Sequence, residues 1–193
     1  MGSRHPLNRM SALKDMTVGV VGFGQIGKEV VNRLRPFKCK ILVHDPVVPP
    51  AAIEQAGGKS VDLNTLYAAS DAVTLHCPSL PQTRGMINRD SLSQMKPGAI
   101  FLNLARGDLV ISDDLVAALQ SGHVSAAALD VFNPEPIPVD HPIRKMPNVV
   151  IAAHISSASP RAVTTLRETA AQLAAMVLKG EAPRNVVNGV KPT

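Results

Sequence analysis

The stretch from Thr17 to Lys40 constrains this chain more than any other. Thr17-Val18-Gly19-Val20-Val21 is a short apolar run of β type, and it ends at Gly22. Gly22-Phe23-Gly24-Gln25-Ile26-Gly27 follows, spelling G-x-G-x-x-G. A helical pattern comes next, with Phe23, Ile26, Val30, Val31 and Leu34 recurring at three- and four-residue spacing, closed by Pro36. Lys40-Ile41-Leu42-Val43-His44 is the next strand, ended by Asp45-Pro46. Strand, glycine loop, helix and strand together make a βαβ crossover, which demands parallel strands with the helix packed against them.

The alternation continues to the end of the chain. A short helix from Pro49 to Ala56 is broken by Gly57-Gly58, and Lys59-Ser60-Val61 is a brief strand. Asp62 is placed to cap a helix running through Ala69. Ala72 to His76 is a strand ended by Cys77-Pro78, and a short helix starts after Asn88. Ala99 to Asn103, Val124 to Val131 and Asn148 to Ala152 are further strands. Ser112 is read as the cap of a helix with Asp113 and Asp114 in its first turn, where carboxylates suit the dipole, and Gly122 stops it. Ser159-Pro160 opens the longest helix, ended by Gly180. Its Val163, Leu166, Ala170, Leu173 and Val177 form one face, suited to core packing or a subunit interface. Continuously apolar strands alternating with helices imply a parallel sheet buried on both faces, an α/β doubly wound fold of the Rossmann type.

In that context the glycine loop carries chemistry. Gly22 permits the tight turn, Gly24 lets a pyrophosphate approach the backbone, and Gly27 allows close packing of helix on strand. The helix N-terminus then holds the phosphates. Asp45 lies 21 residues after Gly24, at the end of the second strand. A carboxylate there accepts hydrogen bonds from ribose hydroxyls and repels a 2′-phosphate. The residues after it, Pro46, Val47 and Val48, bring no arginine, so NAD is favoured over NADP. The competing reading leaves the glycines to packing and Asp45 to a turn.

Three polar residues stand just past strand ends, on the carboxyl edge where open α/β sheets bind ligands. They are Arg106 in N-L-A-R-G, Glu135 in D-V-F-N-P-E-P and His154 in I-A-A-H-I-S-S. A guanidinium grips a carboxylate bidentately and polarises the adjacent carbonyl. A histidine gives or takes a hydroxyl proton near neutral pH, and a carboxylate beside it favours the acid form. These types suit hydride exchange between a nicotinamide and a 2-oxo or 2-hydroxy acid. Taken singly, each has a plainer role: an ion pair, a solvated acid, a packed histidine. His76 ends a strand and is read as lining the cofactor wall, and Asp130 as facing the nicotinamide amide or capping its loop. His44 is read as packed, and His5, His123 and His141 as surface residues.

Composition excludes other classes. No apolar run approaches 18 residues, and the N-terminus lacks a signal-peptide core, so neither a membrane span nor secretion is expected. The net charge is +5, but the bases are interleaved with acids, and one Tyr, no Trp and four Phe leave few stacking platforms. Nucleic acid is therefore not an expected partner. Cys39 and Cys77 stand alone without histidines at ligand spacing, so no disulfide framework and no metal site is expected, and a reducing cytoplasm is the default.

The set G-F-G-Q-I-G, H-D-P, S-D-A-V-T-L-H-C-P, N-L-A-R-G, A-L-D-V-F-N-P-E-P and A-H-I-S-S resembles the nucleotide-binding domain of D-isomer-specific 2-hydroxyacid dehydrogenases. The resemblance covers the chain from about Leu13 to Val190. It implies that Gly22, Gly24, Gln25, Ile26 and Gly27 form the pyrophosphate loop and that Asp45 binds ribose. His76 would line the cofactor wall, Cys77, Pro78 and Thr83 the adenosine and ribose side of the cleft, and Asp130 would face the nicotinamide amide. Arg106 would bind substrate, with Glu135 and His154 as the acid–base pair, and the partners would be a small 2-hydroxy or 2-oxo acid and a second copy of the chain. Leu80 stands where relatives often carry a polar residue.

The family's substrate-binding lobe comes mostly from sequence before the first Rossmann strand, and little precedes Val18 here. Residues 1–12 read as a leader, Met1-Gly2-Ser3 as a cloning remnant, 13–180 as the NAD-binding domain and 181–193 as a return segment towards that lobe. The chain is thus expected to be a truncated or partial form of an NAD-dependent dehydrogenase carrying one wall of the cleft, weakly active or inactive by itself. A corepressor-like or dimerising NAD-sensing module is the alternative.

Overall fold

The computed structural model describes residues 12–184 and 186. The leader reading, His5, and most of the return segment lie outside the described residues. The chain divides into two compact units, Met1–His154 and Ile155–Thr193.

The first unit is built on one sheet. Its strands are β1 (Thr17–Val21), β2 (Lys40–His44), β3 (Lys59–Ser60), β4 (Ala72–Leu75), β5 (Ala99–Asn103), β6 (Val124–Leu129) and β7 (Val149–Ile151). They lie in the order β3-β2-β1-β4-β5-β6-β7, with every pairing parallel. The chain winds outward from β1 to β3, then crosses back to β4 and winds the other way. The switch point falls between β1 and β4, where Val21 is level with His44 on one side and Leu75 on the other. Gly22, Asp45 and His76 therefore leave the sheet side by side.

The helices are α1 (Gln25–Leu34), α2 (Pro50–Gln55), α3 (Leu63–Ala69), α4 (Arg89–Gln94) and α5 (Ser112–Gln120), with α6 (Pro160–Leu178) in the second unit. Two apolar clusters follow from the period-two alternation of β1. Val18 and Val20 pack with Phe23, Val31, Ile41, Val43 and Ile53. Val21 packs in the other cluster with Leu66, Tyr67, Val73, Leu75 and Phe101. Asp62 caps α3 by accepting the Thr65 N–H, and Asn88 caps α4.

Four local readings are corrected. Ile26 does not share the packed face of α1: it is 66% exposed, while Gly27 and Val31 are buried. Ser112 is the first helical residue and makes no cap bond; Ile111 is the cap position. Burial is not complete on both faces of the sheet, because β7 is an edge strand of three residues with Val150 71% exposed. His123 and His141 are half-buried and hydrogen-bonded, His123 to the Leu92 carbonyl and His141 to the Ile143 N–H. In the second unit Ser159 caps α6 through the Ala162 N–H, and none of that helix's residues is buried.

Candidate functional site

The glycine loop sits over the switch point. Gly22 has φ of +96°, a left-handed conformation that only glycine adopts without strain. Its N–H donates to the His44 carbonyl at 2.8 Å, and the His76 N–H donates to the Val21 carbonyl at 2.7 Å. A Cβ on Gly22 would stand 2.7 Å from the backbone of His76 and Cys77. A Cβ on Gly27 would stand 2.1 Å from the Gly22 carbonyl oxygen, so α1 rests directly on the loop. Above Gly24 there is open space to 4 Å. Packing therefore explains the glycines at 22 and 27 but not at 24. Gln25 and Ile26 open α1, both exposed, and no side chain caps the helix.

Asp45 is tied into this loop. One carboxylate oxygen accepts the Phe23 N–H at 2.7 Å, and the other accepts the N–H groups of Val47 and Val48 at 2.9 and 3.0 Å. Partial burial opposes its ionisation, but these three donors and the nearby His44 outweigh that and hold the carboxyl below the usual aspartate value. A cavity of about 320 Å³ opens beside it, lined by Gly22, Asp45, Cys77, Pro78, Leu80 and Thr83 among others.

The loop after β4 shapes the far wall of that cavity. Thr83 stitches it together: its hydroxyl donates to the Pro78 carbonyl at 2.7 Å and accepts the Leu80 N–H at 2.8 Å. Leu80 is 40% exposed and presents an apolar side chain to the cavity. Burial, with the Asp45 carboxylate nearby, pushes the Cys77 thiol up. His76 lies beneath the glycine loop, its ring Nε2 3.0 Å from Thr74 Oγ1, and burial pushes its imidazole down.

Past β5, β6 and β7 the other predicted residues emerge. His154 Nδ1 lies 2.9 Å from Glu135 Oε1, with both side chains partly open to solvent. His154 has φ of +56°, and its N–H donates to the Asp130 carbonyl at 2.8 Å. Asp130 is 4% exposed, and its N–H donates to the Asn103 carbonyl at 3.0 Å. A second cavity, about 530 Å³, lies beside Glu135 and is lined by Phe132, Ile137, Arg144 and Ile151. Arg106 is exposed, and its Nη1 donates to the Ala105 carbonyl at 2.7 Å.

Two features escape a reading of the sequence. Asn103 is 1% exposed and hydrogen-bonds both Ala105 and Arg106 within the N-L-A-R-G loop. Asp108 accepts the Ser79 hydroxyl at 2.5 Å and pairs with Arg84, joining that loop to the cavity wall. A polar residue at a β-strand's last position is the available signal for Asn103; the Ser79–Asp108 contact spans 29 residues and leaves none. Among the described residues no three potential ligands cluster as a metal site would need, and no helix is long and apolar enough to cross a membrane.

Residues 3–156 match the family model described as D-isomer specific 2-hydroxyacid dehydrogenase, NAD binding domain. The chain is 41% identical to a glyoxylate reductase of Thermofilum pendens, over 91% of this chain and 52% of the relative. It is 39% identical to a D-3-phosphoglycerate dehydrogenase of Archaeoglobus fulgidus, over 91% of this chain and 33% of the relative. It thus spans between a third and about half of the length of these curated relatives. A solved D-isomer specific 2-hydroxyacid dehydrogenase from Lactobacillus delbrueckii ssp. bulgaricus, in its NAD-complexed form, superposes with a TM-score of 0.86 at 30% identity, covering 96% of this chain and 60% of that one. The open cradle over Gly24, beside the Asp45 cavity, fits the dinucleotide such domains hold. The chain belongs to the D-isomer specific 2-hydroxyacid dehydrogenase family, of which it carries the NAD-binding domain.

Proposed function

We propose that this chain supplies the cofactor wall and the acid–base pair of an NAD-dependent D-2-hydroxyacid dehydrogenase acting on a small 2-oxo or 2-hydroxy acid. The observation that carries this reading is the 2.9 Å contact between His154 and Glu135 on the carboxyl edge of the sheet that holds the glycine loop. The loop from Gly22 to Gly27 cradles the pyrophosphate, with Gln25 and Ile26 at the helix start beside it. Asp45 accepts from the adenosine ribose, Cys77, Pro78 and Thr83 line that half of the cleft, His76 supports the loop from below, and Asp130 lies towards the nicotinamide amide.

Bound nicotinamide supplies the hydride. Arg106 turns from the Ala105 carbonyl to grip the substrate carboxylate in two hydrogen bonds, which also fixes the adjacent carbonyl. His154 faces Glu135 through Nδ1, so its Nε2 edge delivers a proton to the carbonyl oxygen during reduction and takes it back during oxidation. Glu135 orients the ring and compensates the imidazolium charge. The same reading places 13–180 as the working domain, pairs two copies through exposed apolar residues such as Val150, Leu166 and Val177, and locates the protein in the cytoplasm, where free Cys39 and Cys77 stay reduced.

A second reading, an NAD-sensing dimerisation or corepressor-like module, is favoured by one observation: the Asp45 cavity is formed within the chain while the Arg106 guanidinium is turned onto Ala105. NADH fluorescence on the purified chain, followed by NADH oxidation with glyoxylate, hydroxypyruvate and pyruvate, separates the two. Binding with turnover supports the dehydrogenase, binding without turnover supports the module, and absence of binding refutes both.

A further inference from the structure

We infer that Asn103 is a positioning residue that fixes the direction of Arg106 and locks it to the backbone of the Glu135–His154 pair. Asn103 ends β5 with its side chain buried, at 1% exposure. Its Nδ2 donates to the Arg106 carbonyl at 2.8 Å, and its Oδ1 accepts the Ala105 N–H at 3.0 Å. The turn Leu104–Arg106 is thus closed by one amide that serves as donor and acceptor at once. No other side chain of this size offers both in fixed geometry.

The same residue reaches the second catalytic loop. Its backbone carbonyl accepts the Asp130 N–H, and the Asp130 carbonyl accepts the His154 N–H. A continuous path of hydrogen bonds therefore runs from Arg106 through Asn103 and Asp130 to His154. Gly107 closes the arrangement from the other side. A Cβ there would stand 1.9 Å from the Phe132 carbonyl oxygen, so the end of the arginine loop lies flush on the segment leading to Glu135. With both flanks held, Arg106 keeps extended backbone angles, φ −145° and ψ 144°, and projects its exposed side chain from a rigid base. A loop held this way gives the ligand-binding side chain a backbone base that needs no reordering. The substrate role of Arg106 rests on the function proposed above; the rigidity of its loop does not.

Asn103→Asp is the sharp test, because it keeps size and shape but turns the Nδ2 donor into an oxygen facing the Arg106 carbonyl. Asn103→Ser is the second variant, since one hydroxyl cannot span both groups. Amide hydrogen exchange and ¹⁵N relaxation, including the Arg106 side-chain Nε–H signal, are read on the whole chain. Exchange at Ala105 is expected to rise about tenfold or more in Asn103→Ser, which loses the Oδ1 acceptor, and the Arg106 Nε–H to become more mobile in both variants. Val20 and Val73 in the central strands should exchange as before, and NADH affinity should stay within about twofold. Equal acceleration at Val20 and Val73 would reduce Asn103 to general stability and overturn the inference. Unchanged Ala105 exchange in Asn103→Ser, or an Arg106 Nε–H as rigid as before in Asn103→Asp, would overturn it too. Failure of the unsubstituted chain to bind NADH would instead strike the proposed function and leave the exchange result standing.

Discussion

Glu135 and His154, 19 residues apart in sequence, meet with Oε1 and Nδ1 2.9 Å from each other. The contact leaves both side chains partly solvated, so its value lies in orientation more than in stability. Glu135→Gln keeps the shape and removes the charge. Turnover with glyoxylate and NADH is expected to fall about 10²-fold, within the range for disabling an acid–base group, with NADH affinity nearly unchanged. Steady-state rates alongside a fluorescence titration check this; a matched loss of both would place Glu135 in cofactor binding instead.

His154 occupies the left-handed region with φ of +56°. Such a conformation costs a non-glycine residue about 1–2 kcal/mol. His154→Gly and His154→Ala both remove the imidazole, but only glycine relieves the backbone. The glycine variant is expected to be more stable by about 1 kcal/mol, after its own unfolded-state entropy is counted. Denaturant unfolding of the two variants side by side measures the difference, and an alanine variant more stable than the glycine one would show that the backbone there is unstrained.

The three glycines of the loop separate by what a methyl group would meet. Gly27→Ala drives a Cβ to 2.1 Å from the Gly22 carbonyl and should destabilise the fold by a few kcal/mol, about the cost of overpacking. Gly24→Ala meets nothing within 4 Å and should fold normally while NADH affinity drops. Melting curves paired with NADH titrations test both, and a Gly24→Ala protein with full affinity would remove Gly24 from the cofactor site.

Asp45→Ala removes an acceptor shared by Phe23, Val47 and Val48. A hydrogen bond from a ribose hydroxyl to this carboxylate is charge-assisted and worth about 1.5–3 kcal/mol, so under the proposed ribose role its loss should weaken NADH affinity about tenfold or more. The preference for NADH over NADPH should narrow, because the charge that repels a 2′-phosphate is gone. Parallel titrations with the two cofactors give the ratio; an unchanged ratio would sink the ribose assignment.

Burial lowers the His76 pKa below its ordinary 6.5 in the folded chain. The unfolded chain therefore takes up the proton first as pH falls. Stability is complete above about pH 6.5 and declines as pH drops through the lower folded value. The comparison that isolates this residue is with His76→Asn. Its stability should fall less steeply than that of the wild type below pH 6.5. Identical slopes in thermal melts across that range would mean that His76 ionises as freely folded as unfolded.

Much of this architecture is legible along the chain. Strand periodicity, the glycine loop and the Asp62, Asn88 and Ser159 caps are local features, set by the residues within a turn or two. For that reason the βαβ order and the positions of Arg106, Glu135 and His154 at strand ends can be anticipated. Expectation fails where local propensity meets tertiary context. Ile26 has helical spacing but faces outwards because Gly27 brings that side of α1 down on Gly22. β7 is apolar, yet Val150 and Ile151 are exposed, because apolar character along a strand does not decide whether another element covers its face.

Short-range pattern is therefore enough to dictate the alternating parallel fold, the dinucleotide loop and the acid after the second strand. Which distant groups touch is a matter of three-dimensional packing. That packing brings Asp45 to the Phe23 amide, Ser79 to Asp108, Glu135 to His154, and Asn103 into a path from Arg106 to Asp130. Those contacts depend on strand order and register, which place residues far apart in the chain on one sheet edge.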